Sequence, residues 1–81
     1  EYEIYKMSFI LYPNPSNGTI NLKSNGKWNT IQLFSLSGKR LEEYEIHNEE
    51  VIIESQLTSG AYLFVLTGVD DIQTGKLVII K

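Results

Sequence analysis

The sequence predicts an all-β domain, a two-sheet antiparallel β-sandwich of about seven strands. Turn chemistry recurs at intervals of roughly eight to twelve residues, the spacing of a sandwich or barrel. The segments between turns are short, and they either alternate polar with apolar residues or are apolar throughout. No apolar stripe at helical spacing is long enough to form a helix, and there is no internal repeat or low-complexity tract.

Phe9-Ile10-Leu11-Tyr12 reads as the first strand and runs into Pro13-Asn14-Pro15-Ser16-Asn17-Gly18. Pro13 and Pro15 fix φ and remove backbone donors, so that stretch cannot pair as a central strand. Thr19 to Lys23 alternates polar and apolar, the mark of a half-buried strand. Asn25-Gly26 suits the positive φ angles of a tight turn, which predicts a hairpin between that strand and Thr30 to Leu36. Within Thr30 to Leu36 the alternation slips, from Ile31 and Leu33 on one face to Phe34 and Leu36 on the other. A bulge or a change of exposure explains the slip.

Ser37-Gly38 makes the next turn, and Lys39 to Ile46 the fourth strand, with Leu41 and Tyr44 out of phase. His47-Asn48-Glu49 turns the chain into Val51-Ile52-Ile53. Ala61 to Leu66 is apolar on both faces and is predicted to be central. It is entered through Gly60, with Tyr62 just inside the corner. In Ig-like sandwiches a tyrosine so placed bonds back to nearby backbone. Gly68 to Asp71 supplies the last turn and Thr74 to Ile80 the last strand.

At 81 residues the chain is one domain. A domain of this size buries only roughly 60–65% of the surface its unfolded chain exposes. Hydrophobic content of 42% and charged content of 21% fit a globular domain. The net charge of −3 lacks the basic surface that nucleic-acid binding needs. No cysteine is present, which excludes disulfides and thiolate metal sites. The apolar runs fall far short of a membrane span, so no direct insertion into a membrane is expected. Glu1 to Ser8 has no basic-then-apolar leader pattern, and the missing initiating methionine predicts a fragment of a longer chain.

Candidate chemistry is sparse. His47 is the single histidine, and without a second histidine or a cysteine it reads as an exposed turn residue. Asp70-Asp71 lacks the alternating oxygen ligands of a calcium loop and reads as turn chemistry. Glu42, Glu43, Glu45, Glu49 and Glu50 read as a solvated face rather than a carboxylate pair for glycoside hydrolysis. Trp28 with Tyr2, Tyr5, Tyr12, Tyr44 and Tyr62 would stack on sugars only as a planar exposed row, and most are assigned to the core. Asn17-Gly18-Thr19 matches a glycosylation acceptor but is already explained by its turn. Lys76 and Lys81 frame Leu77-Val78-Ile79-Ile80, and the chain stops inside that strand. Its lysines protect an edge, or its unpaired rim and terminal carboxylate are docked by a partner.

Four blocks in this order resemble the type A C-terminal sorting domain of the bacterial type IX (Por) secretion system. They are Leu11-Tyr12-Pro13-Asn14-Pro15 with Gly18, Ile20 and Leu22; Ile31 to Lys39, including Gly38; Leu57 to Tyr62, including Gly60; and Lys76 to Lys81. The resemblance covers about Phe9 to Lys81 and departs from the family at Ile79-Ile80, where a more basic finish is common.

The resemblance implies a secretion signal rather than an enzyme, with no cofactor and no metal. It implies an Ig-like sandwich on an exported protein of Bacteroidota-type bacteria. Such a protein crosses the inner membrane by a separate leader, transits the periplasm and reaches the cell surface or the medium. The implied partners are the outer-membrane translocon and shuttle proteins, and a sortase-type cysteine protease. The protease would cut near Glu1 to Ser8, so residues 1–8 are a linker from upstream cargo and 9–81 the sorting domain. Pro13, Asn14, Pro15, Gly38, Gly60 and Tyr62 are the motif residues, and of these Pro13, Pro15, Gly60 and Tyr62 are expected to determine the fold. Lys76, Leu77, Val78, Ile79, Ile80 and Lys81 are expected to be the recognised element. The alternatives are a carbohydrate-binding accessory module, which needs Trp28 and Tyr44 exposed, and an adhesion or spacer domain.

Overall fold

A computed structural model describes residues 9–81. The linker and cleavage region expected at Glu1 to Ser8, with Tyr2 and Tyr5, lies outside the described residues. The strands are β1 (Phe9–Tyr12), β2 (Thr19–Ser24), β3 (Trp28–Phe34), β4 (Arg40–Glu45), β5 (Glu50–Glu54), β6 (Gly60–Gly68) and β7 (Ile72–Ile79). They form a three-stranded sheet, β1-β2-β5, and a four-stranded sheet, β4-β3-β6-β7. Every ladder is antiparallel. This is the predicted two-sheet sandwich.

The strands form where alternation gives each sheet one apolar face. Ile20 and Leu22 of β2, and Ile53 of β5, point inward from the three-stranded sheet. Ile31 and Leu33 of β3, Phe64 and Leu66 of β6, and Leu77 and Ile79 of β7 meet them from the other sheet. Phe9 closes one part of this core, its ring edge-on to Trp28 and to Phe64 with centroids 6.0 Å away in each case. As predicted, β6 is internal, hydrogen-bonded to β3 on one side and to β7 on the other. The slip in β3 is an irregularity, a register shift against β4 between Leu33 and Phe34.

Pairing differs from expectation at Asn25-Gly26. This turn does not close a hairpin, because β2 pairs with β1 and β5 while β3 pairs with β4 and β6. Asn25-Gly26-Lys27 instead carries the chain from one sheet to the other. Gly26 sits at φ 85°, and the Lys27 amide donates to Asn25 Oδ1 at 3.2 Å. Burial decides between the two arrangements. A hairpin would set Ile20 and Leu22 beside Ile31 and Leu33 on one sheet face, whereas the crossover sets them opposite each other across the core. Leu36 likewise falls outside β3, in the following turn, and is 60% exposed.

Gly75 shows how tightly the core closes. A Cβ added there would lie 2.6 Å from two ring carbons of Phe64, whose side chain is buried. Gly75→Ala is therefore expected to cost about 1–3 kcal/mol through overpacking, read as a lower urea midpoint with unchanged slope. An unchanged midpoint would show that the Phe64 ring has room to move.

Candidate functional site

The segment Pro13-Asn14-Pro15-Ser16 has lost two backbone donors to proline, so its hydrogen bonding must come from the Asn14 side chain and the Ser16 main chain. Both are aimed at β7. Asn14 Nδ2 donates to the Lys76 carbonyl at 2.9 Å, and the Val78 amide donates to Asn14 Oδ1 at 3.0 Å. Two residues on, the Ser16 amide donates to the Val78 carbonyl and the Ile80 amide to the Ser16 carbonyl, both at 2.8 Å. The Asn14 primary amide thus imitates a peptide group, and Ser16 continues the ladder as a parallel bridge to Ile79.

Ser16 is buried, and its hydroxyl accepts from the Gly18 amide at 2.9 Å while donating to the Thr19 carbonyl at 2.8 Å. Gly18 has φ 114°, its carbonyl accepts from the Ser55 amide, and a Cβ there would lie 2.9 Å from Lys81 Cε. That backbone angle is what calls for glycine, since the Lys81 side chain is flexible and could move aside.

The structure therefore gathers Pro13, Asn14, Pro15 and Lys76 to Lys81 into one unit. Gly60 and Tyr62 join it from β6, where Gly60 pairs with Ile79 and Tyr62 with Leu77. The Tyr62 hydroxyl donates to the Thr58 carbonyl at 2.7 Å, so the predicted bond back across the corner is present. The Lys81 amide donates to Ser59 Oγ at 2.8 Å, tying the chain end to the same corner. Gly38 stays apart from this unit, since a side chain added there would meet nothing within 4 Å.

One structural expectation is overturned. The rim of Leu77 to Ile80 is not unpaired, because β6 occupies one flank and Asn14 with Ser16 the other. A partner cannot add a strand along that part of the folded domain without displacing the proline segment. What β7 offers outward there is side chains. Lys76, Ile80 and Lys81 are exposed and Val78 is half-buried, while Leu77 and Ile79 belong to the core. Ser16 and Ser59 escaped the sequence reading. The available signal was the spacing of two prolines around Asn14, which leaves few other polar groups to close the edge.

The glutamates are not uniformly a solvated face. Glu42 accepts from the Tyr44 hydroxyl and the Ser55 hydroxyl, each at 2.8 Å, and from the Gln56 amide at 3.0 Å. It links β4 of one sheet to the chain leaving β5 of the other. Burial, then the hydrogen bond and charge of Glu42, push the Tyr44 phenol up to about 12. Three of the others pair at the surface, Glu43 with Arg40, Glu45 with His47, and Glu50 with Lys23, and Glu49 is exposed. Asp71 accepts from the Ile72 amide and from Gln73 Nε2, which is turn chemistry. Trp28 is only 2% exposed and Tyr44 is half-buried, so these rings form no planar sugar platform. Among the described residues no group of His, Cys, Asp or Glu is placed to hold a metal.

Asn14→Ala is expected to speed exchange of the Val78 amide at least tenfold while sparing the Leu77 amide, which faces β6. Equal exchange at Val78 in both proteins would contradict the Asn14 bond. Tyr44 adds a pH dependence. Its folded value lies above the ordinary tyrosine value of 10.0, so its contribution is complete below pH 10 and is lost as pH rises towards 12. The stability difference between the native protein and Tyr44→Phe should shrink across that window in urea titrations.

Residues 10–81 match the family described as secretion system C-terminal sorting domain. The chain is also similar to a protein named GTP-binding protein 1 from Schizosaccharomyces pombe, at 32% identity over 75 residues. That alignment takes in 84% of this chain but 21% of the fungal protein, so the chain spans about a fifth of that relative's length. The family match runs from β1 to the last residue and includes every element of the unit built around β7. The chain belongs to the type IX secretion system C-terminal sorting domain family, signals rather than enzymes, which engage the secretion machinery and direct export towards the cell surface or the medium.

Proposed function

We propose that the secretion machinery reads this domain folded, and that Lys76 to Lys81 is the element it contacts. The observation that carries the reading is the occupied rim of β7. With Val78 hydrogen-bonded to Asn14 and Ser16, contact passes through the outward side chains of Lys76, Val78, Ile80 and Lys81. Leu77 and Ile79 serve by anchoring that surface in the core. Pro13, Asn14, Pro15, Gly60 and Tyr62 act indirectly, by holding the strand and the corner beside it.

Residues 9–81 are then the sorting domain and residues 1–8 the linker to cargo. The domain meets the outer-membrane translocon and shuttle proteins after periplasmic transit, and a sortase-type cysteine protease cuts upstream of β1. The fold suits such a role, since Lys76, Ile80 and Lys81 are exposed on the outside of the sandwich while Leu77 and Ile79 anchor the same segment in its core.

Fused to a periplasmic reporter in a type IX-competent bacterium, the 81-residue chain is expected to carry the reporter to the surface or the medium. Deleting Lys76 to Lys81 should leave it in the periplasm, but that deletion also removes Leu77 and Ile79 from the core. The double variant Lys76→Glu with Ile80→Glu changes only exposed side chains and separates the two effects. A folded variant retained in the periplasm supports side-chain recognition, and normal export of that variant overturns it.

A further inference from the structure

The outer rim of β7 is closed at two places and open between them. At its start the Ile72 amide donates to Asp71 Oδ1 at 2.8 Å. At the far end of the open stretch the Lys76 carbonyl is taken by Asn14 Nδ2 at 2.9 Å. The β6-β7 ladder runs without a register shift, and Val78 turns both its main-chain groups away from β6 towards Asn14 and Ser16. By the two-residue alternation of an antiparallel ladder, Lys76, Thr74 and Ile72 turn theirs the same way. The Ile72 carbonyl, the Thr74 amide and carbonyl, and the Lys76 amide are left without a partner among the described residues. Ile72, Thr74 and Lys76 are all exposed.

We propose that this rim docks against the same rim of a second copy of the chain, antiparallel about a two-fold axis at Thr74. Along the strand the open groups run acceptor, donor, acceptor, donor. An antiparallel copy presents the complementary order, so all of them are satisfied. Thr74 exchanges both its bonds with the second copy's Thr74, and each Ile72 carbonyl accepts from the other copy's Lys76 amide.

The side chains agree with this register. Thr74 faces Thr74, a favourable β-branched pair, and the stem of Lys76 lies across from Ile72 rather than from another lysine. Asp70 and Asp71 precede Ile72, so the acidic end of each rim approaches the lysine end of the other. Beyond Lys76 the proline segment blocks further pairing, which limits the contact to Ile72 through Lys76 and fixes its register. The two four-stranded sheets would become one continuous sheet, with the outward side chains of Val78, Ile80 and Lys81 still free. This pairing does not depend on the export reading.

So small a contact makes a weak dimer, populated at concentrations on the order of 1 mM rather than in dilute solution. Sedimentation equilibrium of the 81-residue chain is expected to show a mass rising towards twice the monomer's with concentration. The Thr74 and Lys76 amides should exchange several-fold more slowly at the top of that range. Thr74→Pro removes an outward N–H and leaves the β6 ladder whole, and Thr74→Lys sets two like charges face to face across the axis. Both variants should stay monomeric, with the Leu77 amide as protected as before. The proposal is overturned if the native chain remains monomeric throughout, or if its dimer persists undiminished in both variants.

Discussion

Four hydrogen bonds from Asn14 and Ser16 to Lys76, Val78 and Ile80 organise this domain more than any other contact outside its core. They join residues more than sixty positions apart, the first connection of the chain to its last strand. They also lie between sheets, since Asn14 and Ser16 follow β1 of the three-stranded sheet whereas β7 edges the four-stranded one. At about 0.5–1.5 kcal/mol net for each bond they contribute about 2–6 kcal/mol, and exposure of the Asn14 pair places the sum towards the lower end. A small domain holds only about 5–15 kcal/mol in total, so this stitch is a large share of what keeps the terminal strand in place.

The opposite side of the sandwich is closed by different chemistry with the same result. There Glu42 of β4 gathers the Tyr44 and Ser55 hydroxyls and the Gln56 amide, and so ties the four-stranded sheet to the chain leaving β5. Each lateral opening of the sandwich thus carries one polar clasp, a neutral amide at β1/β7 and a carboxylate at β4/β5. Between them lies a continuous core in which Ile20, Leu22, Ile31, Leu33, Leu66, Leu77 and Ile79 are sealed from solvent. A sandwich with so modest a core relies on such clasps to keep its edges from fraying or pairing at random.

For a sorting signal this arrangement has a consequence. A terminal strand that was free along its rim would be recognised through main-chain bonds that carry little sequence information. Closing the rim from Lys76 to Ile80 leaves side chains, not main-chain groups, as what that stretch presents outward. The proline segment and the terminal strand are therefore one structural unit, which gives a physical reason for both to appear in a single family pattern.

Much of this was legible from residues alone because the forces involved are local. Two prolines end β1 whatever surrounds them, alternation marks β2, the slip after Leu33 marks the irregularity in β3, and the Gly60-Ala61-Tyr62 corner implies the bond to Thr58. What escaped the sequence depends on partners distant along the chain. Asn25-Gly26 is chemically suited to a hairpin, and only the gain from facing Ile20 and Leu22 against Ile31 and Leu33 turns it into a crossover between sheets. Glu42 looks like any surface glutamate until Ser55 and Gln56 arrive beside it. The rim of β7 looks free until Asn14 reaches it. Backbone chemistry acts over a few residues and so determines where strands begin and end. Which strands become neighbours is decided by burying every apolar face at once, and that is a property of the whole folded chain.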